Sequence, residues 1–549
     1  MPGSYQHLHL RLRIEQTRLL NWGQNVGLLE GILKGPSRGL EMNRNLILDI
    51  LLEIQSTFKA CTKITSSYDA IVHSIPIRSD SLDPSGTDSI LRKTLALLKK
   101  TPQLSARLQW VMVKQDRFSK LIDELIGHND AIEAFLDKAA LDHLQLMHQR
   151  TYMKILQLTD KVDELKDLSQ ALQLRAHKKP SDFGPGISRA STLVADPADG
   201  HDTAVRLVEF KAQQTISTSG DQNLEILDIS NVRLAPNETD RPGAVYQGKQ
   251  GWVEWKSYDK EEDPNSSRNK VIEDRVKSLV RLLASEQKPK EFRAPQCLGY
   301  FNDSRRGRCR YGLIYENPIQ GLPHRIPVTL RSLLGSALEP SLTKRIALAH
   351  AIAESLMYLH SVNWLHKGVR SSNILFHNSP LQKSTKQAPA ELLPMLSGFD
   401  YARPDLPDTM TERSLRNLEH DLYRHPELIG LTSSRSQKSH DIYSLGIVLV
   451  EIAYWQPIET VMKIDLKQGG ATRRVRDIRD QLLGGEGEYL TKIDSLMGEI
   501  FRHVIQKCLV GGLEIGIPPN GDETDPKVGV EMQRVFLEEI VGNLGGVRV

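Results

Sequence analysis

The sequence predicts a multidomain chain, an all-α helical bundle followed by an α+β domain. Three observations carry this. From Leu8 to about Leu174 apolar residues recur at helical spacing with few glycines. Residues 176–203 are rich in Pro, Gly, Ser and charge and cannot bury a core, which marks a linker. Past about Ala204 short β-type runs with turns give way to helices. At 549 residues the chain is too long for one core, and the boundaries read as 1–175, 176–203 and 204–549.

Within the first third, breaks fall near Gly35-Pro36, between Pro76 and Gly86, and at Thr101-Pro102. Leu104, Leu108, Val111, Phe118, Leu121, Ile122 and Leu125 form one apolar stripe, the pattern of a helix packed in a bundle. The composition, 39% hydrophobic and 25% charged, is that of a globular protein. A net charge of +3 implies no general nucleic-acid affinity, and the basic run Arg305-Arg306-Gly-Arg308 reads as a solvated hairpin tip. Cys61, Cys297, Cys309 and Cys508 are widely spaced and make no metal-ligand pattern, as in a reducing compartment. With no signal peptide and no run of 18 apolar residues, the expectation is a cytoplasmic protein.

Two stretches in the helical third carry a resemblance. Leu10-Arg-Leu-Arg-Ile-Glu-Gln-Thr-Arg-Leu-Leu-Asn-Trp22-Gly23, with Gln109-Trp110-Val-Met-Val-Lys-Gln-Asp-Arg-Phe118-Ser-Lys-Leu-Ile122-Asp-Glu-Leu125, resembles the HeLo domain of fungal prion-inhibition and propagation proteins. The resemblance implies a membrane-perturbing executor of programmed cell death or heterokaryon incompatibility, with self-association and membrane contact through the bundle. HeLo domains usually start with a short apolar helix, whereas this chain opens at Met1-Pro-Gly-Ser-Tyr5. Either the sequence starts short of that helix or this member has lost it.

The second resemblance lies in residues 225–545. Trp364-Leu-His-Lys-Gly-Val-Arg-Ser-Ser-Asn373-Ile-Leu-Phe376 is similar to the catalytic loop of protein kinases, H-R-D-L-x-x-x-N. His366 and Asn373 fit the pattern, Lys367 replaces Arg, and Gly368 replaces the Asp that accepts the substrate proton. A glycine has no group that could act as that base. Arg370 stands where many kinases carry a phosphate-contacting Lys, and Asn373 is the candidate metal ligand.

Upstream, Gly243-Ala-Val245-Tyr-Gln-Gly248 and Trp252-Val-Glu-Trp-Lys256 resemble the end of the glycine-rich loop and the V-A-I-K strand, making Lys256 the candidate partner of the α- and β-phosphates. Glu238 and Asp240 stand where the loop's first two glycines would be. One such like-charge contact with a phosphate costs roughly 3 kcal/mol at ~5 Å and an effective dielectric of ~20. In the helix from Val271 to Ala284 either Glu273 or Arg275 takes the place that faces Lys256. Tyr311-Gly-Leu-Ile-Tyr-Glu316-Asn317 reads as an inner strand leading to a hinge, where backbone groups could receive an adenine.

Ser397-Gly398-Phe399-Asp400 presents Gly-Phe-Asp in place of the metal-binding D-F-G. Two residues displace a side chain by ~6.6 Å in an extended chain, so Asp400 would need a rearranged loop to serve as metal ligand. Tyr423-Arg-His425-Pro426-Glu427 resembles A-P-E. Asp441-Ile-Tyr-Ser444-Leu-Gly446 resembles the D-x-W-S-x-G segment, where Asp441 would hold the catalytic-loop backbone.

The resemblance implies a bilobal protein-kinase-like domain, with a small lobe over about 204–317 and a large lobe over about 318–549, in a pseudokinase that has kept the scaffold and lost the chemistry. The function read from both resemblances is a fungal signalling switch. In it the pseudokinase regulates the bundle, with protein partners such as an upstream activator and membrane association on activation. Binding of ATP without Mg2+ stays open, as do two other readings, an atypical ATP-binding kinase and a non-catalytic interaction scaffold.

Overall fold

A computed structural model gives the architecture. It describes residues 115–134, with isolated positions before them and at 210–211, and residues 226–547 apart from 237–239, 259–266, 286–287, 306–308, 319–325, 337–338, 378–392, 406–416, 430–434, 469–470 and 485–487. The linker 176–203, Glu238 and most of the Leu8–Leu20 and Leu104–Phe118 stretches lie outside the described residues. The chain divides into two compact units, Met1–Gln213 and Gln214–Val549.

In the first unit, helix α1 spans Gln115–Glu133 and buries Ile122 and Leu125 of the predicted stripe together with Ile126 and Ile132, while Leu121 is half-buried. Leu19 and Trp22 are buried as well. A charged network ties the Glu15–Arg18 turn to α1. The Arg18 guanidinium donates to Glu133 (2.5 and 2.6 Å) and Asp130 (2.5 Å), and the Asn129 amide donates to Glu15 (2.9 Å). Arg18 and Glu15 are buried, so the fork fixes the register of the two segments as a bare apolar contact would not.

The second unit opens with strands β1 (Val232–Leu234), β2 (Gly243–Tyr246) and β3 (Lys249–Ser257), followed by helix α2 (Ser267–Ala284) and strands β4 (Cys297–Asp303) and β5 (Arg310–Glu316). They form one antiparallel sheet in the order β1-β2-β3-β5-β4. Its core on one face is Val232, Ala244, Val253, Phe301 and Ile314. Side chains alternate along a strand, so Trp252, Glu254 and Lys256 share the opposite face of β3. Helix α2 buries Ile272, Val276, Leu279, Val280 and Leu283 at spacings of three and four.

Beyond the sheet the chain is mainly helical. Helix α3 (Leu342–Ser361) leads into β7 (Trp364–Leu365), after a short strand β6 (Val328–Thr329). Strand β8 (Ile374–Phe376) lies between β6 and β9 (Met395–Leu396), and β10 (Arg403–Pro404) pairs with β7. Helix α4 (Lys438–Tyr454) is buried almost all round, as its apolar run Ile442 to Ala453 requires, and α5 (Glu488–Met497) and α6 (Glu499–Val510) pack beside it. Among the described residues no helix is long and apolar enough to cross a membrane.

Candidate functional site

The loop between β7 and β8 is the centre of the site, and its backbone is held from below by Asp441 at the start of α4. The Asp441 carboxylate accepts from the His366 N–H (2.7 Å), from the Lys367 N–H (2.8 Å) and from His360 Nε2 (3.2 Å). These bonds hold the Asp441 carboxyl below the usual range against its own burial. Lys367 sits at φ 59, a left-handed conformation that a non-glycine residue adopts only when its surroundings impose it. His366 is fully buried, accepts the Gly368 N–H at Nδ1 (3.2 Å) and packs on Phe399 with ring centroids 4.7 Å apart. Burial pushes it down to about 4, so it stands neutral as an anchor.

From above, the loop is held by charges from the sheet. Arg241, in the connection between β1 and β2, donates from Nε to Glu254 Oε1 (2.7 Å), from Nη1 to the Ser372 carbonyl (2.7 Å) and from Nη2 to Asn373 Oδ1 (2.6 Å). Glu254 also accepts from Ser397 Oγ (2.6 Å) and the Gly398 N–H (2.9 Å). Although burial works the other way, Arg241 and these donors hold the Glu254 carboxyl below its usual range. The Asn373 amide donates to the Gly368 carbonyl (2.7 Å). Lys256, on the same face of β3 as Glu254, donates to the Asp400 carbonyl (2.7 Å).

These groups border a cavity of about 380 Å3, lined by Arg241, Glu254, Arg370, Asn373, Asp400 and His420 among others. Arg370 donates from Nε to Ser372 Oγ (2.9 Å), and burial pulls it below the usual guanidinium range while Asp400 opposes the shift. Burial likewise pushes the Asp400 carboxyl up, with Arg370 pulling it back, and its Oδ1 is buried without a hydrogen-bond partner among the described residues. Burial, with Arg370 and Arg424 nearby, pushes His420 down to about 4.

The residues expected to meet a nucleotide are placed differently. Arg370, Asn373 and Asp400 line the cavity, whereas Gly243, Val245, Gly248, Lys256, Glu316 and Asn317 are not among its described lining residues. Gly248 serves the two-residue turn between β2 and β3. Gln247 and Gly248 have φ of 48 and 81, the pair of positive values that a type I′ hairpin turn needs. Gly243 and Val245 are paired in the ladder between β1 and β3. At the end of β5 the Glu316 N–H donates to the Gln296 carbonyl (2.8 Å) and the Asn317 N–H to the Gln250 carbonyl (2.8 Å), so both donors are already engaged. Of the two candidates on α2, Arg275 is buried (7% exposed), while Glu273 is half-buried and paired with Lys277 at 2.7 Å.

Arg241, Glu254 and Ser397 were not foreseen from the sequence. One signal for Glu254 was there to read: Val253-Glu254-Trp255-Lys256 puts a carboxylate where V-A-I-K has alanine. A second polar cluster, His425, Glu427 and His440, brings its ligand atoms within 4.8 Å of one another. The two imidazoles stack with planes 26° apart, and His425 Nδ1 and His440 Nε2 lie 3.8 and 3.7 Å from the same Glu427 oxygen. His440 Nδ1 already accepts the Gln437 N–H (3.1 Å).

Comparison with known proteins gives three matches. Residues 256–545, just over half of the chain, match the family described as a domain of unknown function, DUF7580, and the chain belongs to that family. Residues 1–168 match the HeLo family, described as prion-inhibition and propagation. A stretch of 103 residues is 29% identical to extracellular signal-regulated kinase 2 of Dictyostelium discoideum. The match covers 19% of this chain and 26% of that kinase, so the chain spans about a quarter of that relative's length.

Proposed function

We propose that this DUF7580 protein is a non-catalytic, kinase-like switch that restrains its own HeLo-type unit and takes part in regulated cell death or heterokaryon incompatibility in a fungus. The observation that carries the reading is the state of the two positions where the kinase pattern holds its metal. Asn373 Oδ1 accepts a guanidinium N–H from Arg241, and Gly398, in place of the metal-binding Asp, gives its N–H to Glu254. A magnesium ion needs near-octahedral oxygen ligands at ~2.1 Å. The residues present do not fit a magnesium nucleotide. Gly368 adds no base.

Retention of the loop geometry supports a role in protein contact. The Asp441 network keeps the His366–Asn373 loop in a defined shape although it has no proton to move. The HeLo match over residues 1–168 supplies the unit to be controlled. The test is expression in a filamentous fungus of the full chain and of a chain ending at Gln213, the boundary between the two units. Growth arrest with the shortened chain, and normal growth with the full one, is the expected result. Equal growth of both would sink the idea of restraint, and radiolabel transferred from ATP by the full chain would restore an atypical kinase.

A further inference from the structure

We propose that Arg241 is the resident cation of this site: its guanidinium stands in the place of a metal ion and, with Glu254, latches the sheet to both loops without magnesium or nucleotide. The inference rests on the kinase-like reading of the loop given above, and deepens it by naming what occupies the cleft.

The geometry around Arg241 is that of a cation collected by oxygens. Each guanidinium nitrogen has an acceptor: Nε has Glu254 Oε1 at 2.7 Å, Nη1 the Ser372 carbonyl at 2.7 Å and Nη2 Asn373 Oδ1 at 2.6 Å. A carboxylate, a backbone carbonyl and an amide oxygen are the hard donors that a magnesium ion selects. A planar fork meets them without the octahedral demand and without giving up a hydration shell. A divalent ion on Asn373 Oδ1 would lie against the guanidinium and be repelled by it.

Glu254 completes the exclusion. It accepts from Arg241, from Ser397 Oγ and from the Gly398 N–H, so its carboxylate spans from β3 to the segment after β9. The four parts of the latch come from positions 241, 254, 372–373 and 397–398, and closing it fixes the sheet against both loops. Gly398 is required for this closeness. It sits at φ 78, and a Cβ there would lie 2.1 Å from the Asn373 amide.

The experiment is thermal melting of the full chain with magnesium chloride alone, ATP alone and both, for the native sequence and for Arg241→Ala. A ligand present at about a hundred times its Kd raises the melting temperature of a unit this size by roughly 4 °C. The native chain is expected to show no shift. Arg241→Ala is expected to melt roughly 4–7 °C lower. It should recover part of that loss with magnesium chloride or millimolar guanidinium, either of which can occupy the vacated oxygens. Arg241→Lys keeps the charge and loses the fork, so it should melt between the two and ignore magnesium; it carries the test if the alanine variant does not fold. A magnesium-dependent shift in the native chain, or an Arg241→Ala chain that responds no more than the native one, overturns the proposal. If the latch behaves as expected while the chain ending at Gln213 leaves growth unchanged, the switch reading fails and the latch stands.

Discussion

Two buried charge networks hold the His366–Asn373 loop from opposite sides, and they differ in what they grip. On the helical side, Asp441 accepts backbone N–H groups from His366 and Lys367 and a bond from His360. On the sheet side, Arg241 and Glu254 grip a carbonyl, an amide side chain, a hydroxyl and one N–H drawn from two separate loops. The first network fixes the shape of one loop and needs one acid on a helix. The second fixes the relation between the sheet and two loops, with Glu254 shared between Arg241 and the Ser397–Gly398 segment. On the sheet side opposite charges therefore neutralise one another beside the loop and border the cavity.

The largest expected effect sharpens the first half of the comparison. Asp441→Ala leaves the N–H groups of His366 and Lys367 and the His360 ring without their buried acceptor, and frees a residue held at φ 59. A loss of about 3–5 kcal/mol is expected, read as the urea midpoint of the full chain. A change under about 1 kcal/mol would mean that packing, and not Asp441, holds the loop.

Next in size is the contrast between two glycines. Gly398→Ala meets both a left-handed backbone (φ 78) and a Cβ position 2.1 Å from Asn373, so it should cost about 2–4 kcal/mol and break the latch. Gly368→Ala meets the Gly398 carbonyl at 3.2 Å and Arg370 and Asn373 at 3.3 Å, and should cost about 1 kcal/mol or less. Denaturant melts of the two variants side by side check this. Equal costs would show that the closeness at Gly398 is not what distinguishes the sheet-side network.

The smallest expected effect concerns pH. Glu451 on α4 is fully buried, accepts from Tyr423 Oη (2.7 Å) and the Ile458 N–H (2.9 Å), and burial pushes its carboxyl up to about 7. Its folded pKa lies above the ordinary glutamate value of about 4.5, so the folded state holds the proton more tightly than the unfolded one. This group's contribution is therefore fully present below about pH 4.5, falls as pH rises to about 7 and is then level. Glu451→Gln should remove that decline, a difference on the order of 2 kcal/mol between pH 5 and pH 7. Parallel stability curves for the two proteins would show that Glu451 does not titrate in this window.

The degree to which the site could be read from the sequence follows the same division. His366, Gly368, Asn373 and Asp441 stand in fixed order along the chain, and their neighbours supply the strands and helix that place them. Arg241 is not legible in the sequence, because a lone Arg in a polar stretch carries no pattern. Its partners lie 13, 131 and 132 positions away, and only folding brings them within bonding distance. Gly248 shows the converse. A glycine that closes a stretch resembling a phosphate loop also fits a hairpin turn, and with φ 81 between Tyr246 and Lys249 it makes the turn from β2 to β3.

The sequence by itself determined that a helical unit precedes an α+β unit, that the loop at His366 has no carboxylate to act as base, and that Gly replaces Asp at position 398. These are properties of residue type and local period, which neighbours along the chain decide. Only the tertiary structure decided that Glu254 reaches the Gly398 N–H, that Asn373 Oδ1 meets a guanidinium and that the donors of Glu316 and Asn317 are already bonded. Each of those depends on the angle and separation of segments far apart in the chain. A buried charge pairs with the opposite charge or dipole that packing brings within about 3 Å, wherever in the sequence it lies.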